Sequence, residues 1–407
     1  MGKNKEEFKN FMNVKKLLLI ILFTLCILIF LKDYNNIHTI IGKNIQDYEE
    51  KLSLKTIKCS NSSPKWMKKS LKLIISDQKI LTNQIAYIDS NQKLHTCLSG
   101  WKNGFIFRED LSNNTRFRYA SLTKVITHHA ILKLIEMGQI NKDDFLIKYF
   151  KELNNENFLD ERVTTITIEN LLEHRSGFDH TKSLDPIVQF SHRSWCPYNI
   201  KKLSNINLDF DPNQYYRYDN RNTCLLSLVL ERVTDESFQD YISENYSLSA
   251  KNINFISGPF EKDEVSYDYR TNTAWSNSYY KNLDFNTLAA VGGLSGNASQ
   301  FATLILELIN SKAHDFFNSS YNAQKSCEFN SFKTCNGYLF RSYQRNRVSP
   351  KMYYRNGSLA AATSLLAVTE NNEIVVWLGN ASIPQSEVDK NSLDLFLHNE
   401  LIPTAKH

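Results

Sequence analysis

A serine hydroxyl is a poor nucleophile at neutral pH and needs a base within hydrogen-bond reach. On a helix, residues three or four apart share a face, so a base three positions after a serine lies beside it. Ser121-Leu122-Thr123-Lys124 has this form. A lysine held among apolar side chains has a lowered pKa and can accept a proton. If Ser121 opens a helix, the free N–H groups of the first turn also favour an anion there. The same spacing recurs at Ser62/Lys65, Ser76/Lys79, Ser90/Lys93 and Ser278/Lys281, but only Ser121 follows an extended segment and opens an apolar helix. The alternative serine turn, G-x-S-x-G, is absent: Gly293-Leu294-Ser295-Gly296-Asn297 fails at its last position. The histidines and cysteines form no CxxC, HExxH or similar ligand cluster, so no metal site is expected and no cofactor is implied.

The elements that must position this pair follow from apolar spacing and turn residues. Gln84–Asp89 and Leu94–Trp101, joined through Ser90-Asn91-Gln92, read as a hairpin. Phe105–Tyr119 reads as mostly extended. The run after Ser121 is apolar on most sides, as in a buried central helix, and ends at Gly138, a suitable C′ residue. His128 and His129 lie on that helix in packing or hydrogen-bonding roles. Thr167 is positioned to cap a helix that stops at Ser176-Gly177, with His174 and Ser176 stabilising the turn. Asn222–Val233 and Ala298–Ile309 are further helices. Tyr338–Tyr343, Lys351–Arg355, Ala362–Thr369 and Glu373–Gly379 read as strands, the last two joined by an Asn371-Asn372 turn. Ser386–Leu401 closes the chain as a helix. Strands at both ends and helices between them predict a mixed α/β fold, with one sheet assembled from both ends of the chain and an inserted helical lobe.

From Phe117 onward the sequence strongly resembles the serine β-lactamase and penicillin-binding-protein superfamily, in the branch of class C β-lactamases, D-alanyl-D-alanine peptidases and related esterases. Thr115–Lys124 resembles that branch's nucleophile segment, and Leu134–Ile140 the end of the nucleophile helix. Ile166–Gly177 resembles its next helix and turn, Tyr218-Asp219-Asn220 its second motif, and Gly292-Gly293-Leu294 to Phe301 a Gly-Gly turn entering a later helix. These segments occur in the family order, and with the flanking strands the similarity covers roughly residues 80 to 380. It implies a β-lactamase/DD-peptidase-like fold: an antiparallel sheet flanked by helices plus an inserted all-helical lobe. Ser121 would form an acyl-enzyme, Lys124 and Tyr218 would share proton transfers, and Asn220 would bind a substrate amide and orient Lys124. The third motif departs from the family. Where a Lys or His, a small residue and Gly are usual, the best match is Arg355-Asn356-Gly357-Ser358. Arg355 keeps a charge for a substrate carboxylate but cannot donate a proton. Gly357 keeps the close approach, and Ser358 would supply the second oxyanion N–H beside that of Ser121. The implied substrate is a small peptide, ester or amide, with β-lactams ranked lowest because of the altered motif. A catalytically lapsed fold that binds cell-wall peptide or a protein partner is the alternative.

Leu17–Leu31 is a run of fifteen residues without charge, flanked by Lys15, Lys16 and Lys32. It would span roughly 22 Å as a helix, and lysine snorkelling extends its reach. Lys32-Asp33-Tyr34-Asn35-Asn36 offers no small-residue cleavage site, so an uncleaved signal anchor is expected. The positive flank places the amino terminus in the cytoplasm and the catalytic part outside, in the periplasm or beyond. Six cysteines lie beyond the run. An even number suits three disulfides in an oxidising compartment; of fifteen connectivities, nearest neighbours (59–97, 196–224, 327–335) are the working expectation. The expected organisation is residues 1–31 tail and anchor, 32–75 stalk, and 76–401 catalytic domain. Its sheet lobe would take about 76–120 and 285–401, and its helical lobe 121–284. With 42% apolar residues, 407 positions can bury a large core, which excludes disorder. A net charge of +5 spread along the chain gives no case for a nucleic-acid partner. Oligomeric state is not legible.

Overall fold

Eight strands form one sheet in the order β1 (Lys58–Cys59), β3 (Leu94–Ser99), β2 (Asn83–Ile88), β11 (Ile374–Gly379), β10 (Ala362–Thr369), β9 (Met352–Leu359), β8 (Arg341–Gln344) and β7 (Lys333–Asn336). Every pairing in it is antiparallel. The computed structural model describes residue 24 and residues 45–188, 193–270, 283–311, 333–344, 349–383 and 393–402. It divides into two units, residues 1–52 and 53–407. Residues 45–52 of the first are helical. The fold described below is the second.

The sheet joins the two ends of the chain where β2 pairs with β11, Ala86 opposite Val376. This is the predicted architecture. The central strands are buried on both faces, so they read as near-continuous apolar runs while period-two geometry still sorts their side chains. Ala86, Ile88, Leu366, Val376 and Leu378 face the larger core, shared with the helical lobe. Ile85, Tyr87, Leu365, Val375 and Trp377 face a smaller one. The Asn371-Asn372 turn is as expected, with Asn372 at φ 59° and its N–H donating to the Thr369 carbonyl.

The smaller core corrects the expected stalk. Helix α1 (Lys65–Ser76) buries Trp66, Met67, Leu71, Ile74 and Ile75 against the sheet, with Leu393 and Leu397 of the closing helix. Lys65, Lys68, Lys69 and Lys72 repeat at helical spacing on the exposed side. Those lysines dominate the composition and hide the apolar stripe between them. Residues 58–59 also belong to the domain: β1 pairs with β3, and Cys59 is bonded to Cys97. The Cys196–Cys224 disulfide is likewise as expected. Cys327 of the third expected pair lies outside the described residues. So does the Leu17–Leu31 run apart from Thr24, and no described helix is long and apolar enough to cross a membrane. Phe105–Tyr119 is not simply extended: Gly104, at φ 73°, starts a single helical turn over Gly104–Phe107.

The lobe between the strands is built on α2 (Thr123–Glu136), whose first nine residues from Thr123 to Ile131 are all buried. Helices α4 (Asn220–Thr234), α5 (Phe238–Asn245) and α6 (Phe285–Gly292) pack on it. The short helix α3 (Ile168–Leu172) starts at the predicted Thr167 cap, in a reciprocal capping box with Asn170. A small second sheet, β4 (Phe117–Arg118), β6 (Leu294–Gly296) and β5 (Asn254–Phe255), ties the chain just before Ser121 to the chain just after α6.

Leu71→Ala should lower the unfolding free energy by about 2–5 kcal/mol, the cost of a cavity in a packed core. Lys68→Ala should stay within about 0.5 kcal/mol. Urea unfolding of the two variants checks whether α1 is structural.

Candidate active site

Ser121 lies in a turn of 3-10 helix, Ala120–Leu122, that runs directly into α2. The chain is turned into it by Ala120, which holds φ at 50°. A side-chain-bearing residue in that region costs about 1–2 kcal/mol, so the surroundings must impose it. They do so from both sides. The Tyr119 N–H donates to the Leu294 carbonyl at 2.9 Å, and the Ser364 hydroxyl donates to the Tyr119 carbonyl at 2.7 Å. One helical turn on, Lys124 comes back under the serine. Its Nζ donates to Ser121 Oγ at 3.1 Å and to the Val291 carbonyl at 2.5 Å. Tyr218, just before α4, closes the group, its hydroxyl 2.7 Å from Ser121 Oγ. The Lys124 ammonium is also 5.2 Å from the centre of the Tyr218 ring.

These groups shift one another. Burial pushes the Lys124 ammonium below its ordinary pKa; Tyr218 opposes this and the Arg355 charge reinforces it. Burial alone would raise the Tyr218 phenol. The Lys124 and Arg355 charges, with hydrogen bonds from Lys124 and Ser121, outweigh burial and bring it below the usual value near 10. Lysine and phenol are therefore both lowered toward neutrality, as partners in proton transfer require.

The third motif lies on β9. Arg355 is 8% exposed, donates through Nη1 to the Leu339 carbonyl at 3.2 Å, and sits 5.6 Å from the Tyr218 ring centre. Gly357 meets the nucleophile: a Cβ there would clash with the Ser364 hydroxyl and lie 2.8 Å from the Tyr119 carbonyl oxygen and 3.0 Å from the Ser121 nitrogen. Only glycine allows this approach. A two-residue loop, Ala360-Ala361, joins β9 to β10, with Leu359 opposite Ala362. The closing pair of such a hairpin exchanges both hydrogen bonds, and every second residue repeats this. Gly357 thus bonds across to Ser364, whereas the backbones of Asn356 and Ser358 face the other edge. Among the described strands, β8 covers that edge only from Met352 to Tyr354. The Ser358 N–H, next to the glycine that approaches the Ser121 nitrogen, faces an edge that no described strand covers.

Ser121, Tyr218, Arg355, Asn356, Gly357 and Ser358 line one cavity of about 520 Å³. Lys124 is buried beneath it. Asn220 does not fulfil its expected contact: its carboxamide nitrogen donates to Asp185 at 2.7 Å, and Lys124 takes the Val291 carbonyl instead. Asn220 opens α4 on the side facing the 185–188 turn, which carries that carboxylate within reach. Spacing arguments also missed Arg341 and Tyr216, which line the same cavity and meet at 3.3 Å between Nη2 and the phenol oxygen. Both lie outside the motif segments, and only the strand register of β8 brings Arg341 there. His174 does more than shape a turn. Its Nδ1 accepts from the Asp219 N–H at 3.2 Å, and its ring lies 4.8 Å from that of Tyr218. Burial first, then the Arg355 charge, holds it neutral. His128, bonded to the Tyr338 carbonyl and Thr223, has the packing role expected; burial holds its pKa down to about 3. Among the described residues no cluster of His, Cys, Asp and Glu could hold a metal.

A serine, a buried lysine and a tyrosine thus converge beside one strand edge, the arrangement expected of the serine β-lactamase superfamily. Residues 84–399 match the beta-lactamase family, and the chain belongs to it. It is 34% identical over 327 residues to a FimD-type protein of Dichelobacter nodosus, serogroup H1, named for fimbrial assembly; the match covers 80% of this chain and 81% of that one. Its fold is similar to that of a D-stereospecific amidohydrolase from Streptomyces (TM-score 0.62, 19% identity, 84% of this chain and 99% of that one). It is also similar to that of a penicillin-binding protein from Bacillus halodurans (TM-score 0.57, 22% identity, 78% and 97%).

Arg355 depresses both Lys124 and Tyr218, so its removal should let both rise. Labelling of Ser121 by a fluorophosphonate should increase with pH as the pair loses its proton. In Arg355→Ala that rising limb should move to higher pH. A limb unchanged in position would show that Arg355 does not act on the pair.

Proposed function

We propose that this chain is a membrane-anchored serine hydrolase that forms an acyl-enzyme on Ser121 and acts outside the cytoplasm on a peptide, amide or ester. The observation that carries this reading is the convergence of Lys124 Nζ and the Tyr218 hydroxyl on one serine oxygen. Neutral Lys124, or the Tyr218 phenolate it supports, takes the Ser121 proton as Oγ attacks the carbonyl. The Ser121 and Ser358 N–H groups receive the oxyanion. Tyr218 then returns the proton to the leaving group, and water repeats the sequence in reverse.

Arg355 and Arg341 on one cavity favour a substrate with a carboxylate near the scissile bond. A peptide cut before its C-terminal residue has that chemistry, and a protein of similar fold is named a D-stereospecific amidohydrolase. β-Lactams rank lowest, because the guanidinium of Arg355 is larger than the usual side chain and keeps its proton. Two disulfides support an oxidising compartment, and the apolar Leu17–Leu31 run supports a retained anchor. The D. nodosus relative, named for fimbrial assembly, makes a cell-surface setting the natural one to test. The engagement of Asn220 by Asp185 favours a second reading, a lapsed fold that binds a peptide or protein without turnover.

Full-length protein should be labelled by a fluorophosphonate probe and Ser121→Ala should not. Labelling that survives the substitution removes Ser121 as nucleophile; no labelling and no turnover of ester and peptide panels support the binding reading. On fractionation the full chain should stay with membranes until detergent is added. A soluble species starting shortly after residue 31 would show cleavage instead.

A further inference from the structure

Tyr218 lies in a segment, residues 215–219, that belongs to no strand or helix, so its backbone must be held from outside. Three hydrogen bonds hold it. The Arg217 N–H donates to the His174 carbonyl at 2.8 Å, the Asp219 N–H donates to His174 Nδ1 at 3.2 Å, and His180 Nδ1 donates to the Tyr218 carbonyl at 2.7 Å. One residue, His174, thus grips the chain on both sides of the phenol. Its ring also packs on both tyrosines of the segment that line the cavity, with centres 4.8 Å from Tyr218 and 6.1 Å from Tyr216.

His174 occupies a strained position. It follows Glu173, the residue that caps the end of α3, and holds φ at 54°. Glycine usually fills that place, because a Cβ there costs about 1–2 kcal/mol. The turn itself uses only backbone: the Arg175 N–H closes it on the Asn170 carbonyl at 2.7 Å. A glycine would serve the turn without strain and would lack only the ring. Strain kept where a strain-free residue would serve points to a role for the side chain.

The hydrogen bonds of the ring define its protonation. The Asp219 N–H and the Asn222 carboxamide nitrogen, the latter at 3.3 Å, both donate to Nδ1, so Nδ1 carries no proton. Asn222 is itself oriented: its oxygen accepts from the Ser176 hydroxyl, and its nitrogen also donates to the Asp219 carbonyl at 3.1 Å. Burial and the Arg355 charge hold the imidazole neutral. Its single proton therefore sits on Nε2, which has no hydrogen-bond partner among the described residues. What the segment takes from the polar atoms of the ring is an acceptor at the Nδ1 position.

We infer that the His174 ring is a positioning device for Tyr218: its Nδ1 fixes the backbone beside the tyrosine and its face fixes the phenol ring, so that the hydroxyl reaches Ser121 Oγ. His174 takes no proton itself and acts through Tyr218. This rests on the serine-hydrolase reading above.

The test follows fluorophosphonate labelling of the full-length protein over time, which yields a rate constant and a final extent. Loss of folded protein lowers the extent, whereas a displaced phenol lowers the rate constant. His174→Gly removes the ring and relieves the backbone; its rate constant should fall roughly hundredfold, the effect of displacing a reacting group by about 1 Å. His174→Asn puts a carboxamide oxygen where Nδ1 stands and tolerates the left-handed backbone, so it should recover much of that loss. His174→Gln, whose amide reaches the Nε2 position instead, should stay slow; this pair keeps the test decisive if the glycine variant does not fold. In a Tyr218→Phe background, which keeps the ring and lacks the hydroxyl, His174→Gly should add no further loss. A wild-type rate constant in His174→Gly, equal rate constants in the Asn and Gln variants, or effects that multiply with Tyr218→Phe overturn the inference. Labelling of wild type but not of Ser121→Ala leaves the hydrolase reading intact in those cases. Labelling absent from wild type, or retained in Ser121→Ala, overturns both.

Discussion

The site depends on burying the ammonium of Lys124, which is 1% exposed. A charge out of water is costly unless hydrogen bonds and opposite charge meet it, and the surrounding elements can be understood as the means of meeting it. Val291 is the penultimate residue of α6, and the last carbonyls of a helix have no partner within it. Its oxygen therefore turns outward with the negative end of the helix and accepts from Lys124. The Gly292-Gly293 pair makes this possible. A Cβ at Gly293 would lie 2.6 Å from the Ala289 Cα, so only glycine can turn the chain away immediately and feed it into β6. β6 then pairs with β4, whose last residues lead into Ser121. One tight turn thus supplies the acceptor for the base and the strand that locates the nucleophile.

Ser121 is held by a complementary constraint from the other side. Ala120 is kept in a left-handed conformation while Gly357 passes against the Tyr119 carbonyl and the Ser121 nitrogen. The Ser364 hydroxyl bonds to the Tyr119 carbonyl at the point of contact, and it belongs to β10, the strand paired with Gly357. The large sheet therefore locks the strained turn, and the strain positions Oγ at the open edge of β9. Here the fold that joins both ends of the chain has a direct consequence for chemistry: β9 and Ser121 are more than 200 residues apart, and only the sheet brings them together.

The fold was largely legible because its signals are local and repeated. Apolar runs bounded by turn residues marked the strands, Thr167 and Gly138 marked helix ends, and Ser121/Lys124 needed only helical spacing. Family order supplied Tyr218 and the glycine of the third motif. What escaped was long-range or masked. The α1 stripe was obscured by four lysines that lie on its far side. Arg341 reaches the cavity through strand register, and Asp185 meets Asn220 from a loop that Arg221 holds at Ser183. The Val291 carbonyl could not be foreseen from side-chain chemistry, because backbone acceptors are common to all residues and only geometry singles one out.

Arg355 in the third motif narrows the proton traffic. A lysine or histidine there could exchange a proton with Tyr218 or the leaving group, which would add a third titrating member to the pair. A guanidinium stays charged throughout the working pH range. Its Nη1 is fixed on the Leu339 carbonyl and its plane lies near the Tyr218 ring. Its charge favours the deprotonated form of both Lys124 and Tyr218, and in the proposed reaction it would attract an anionic substrate to the same edge. Binding a carboxylate would offset part of that field and raise the basicity of the pair just when a proton must be taken. Substrate charge and base strength are thereby linked through one immobile cation, without any proton passing through it.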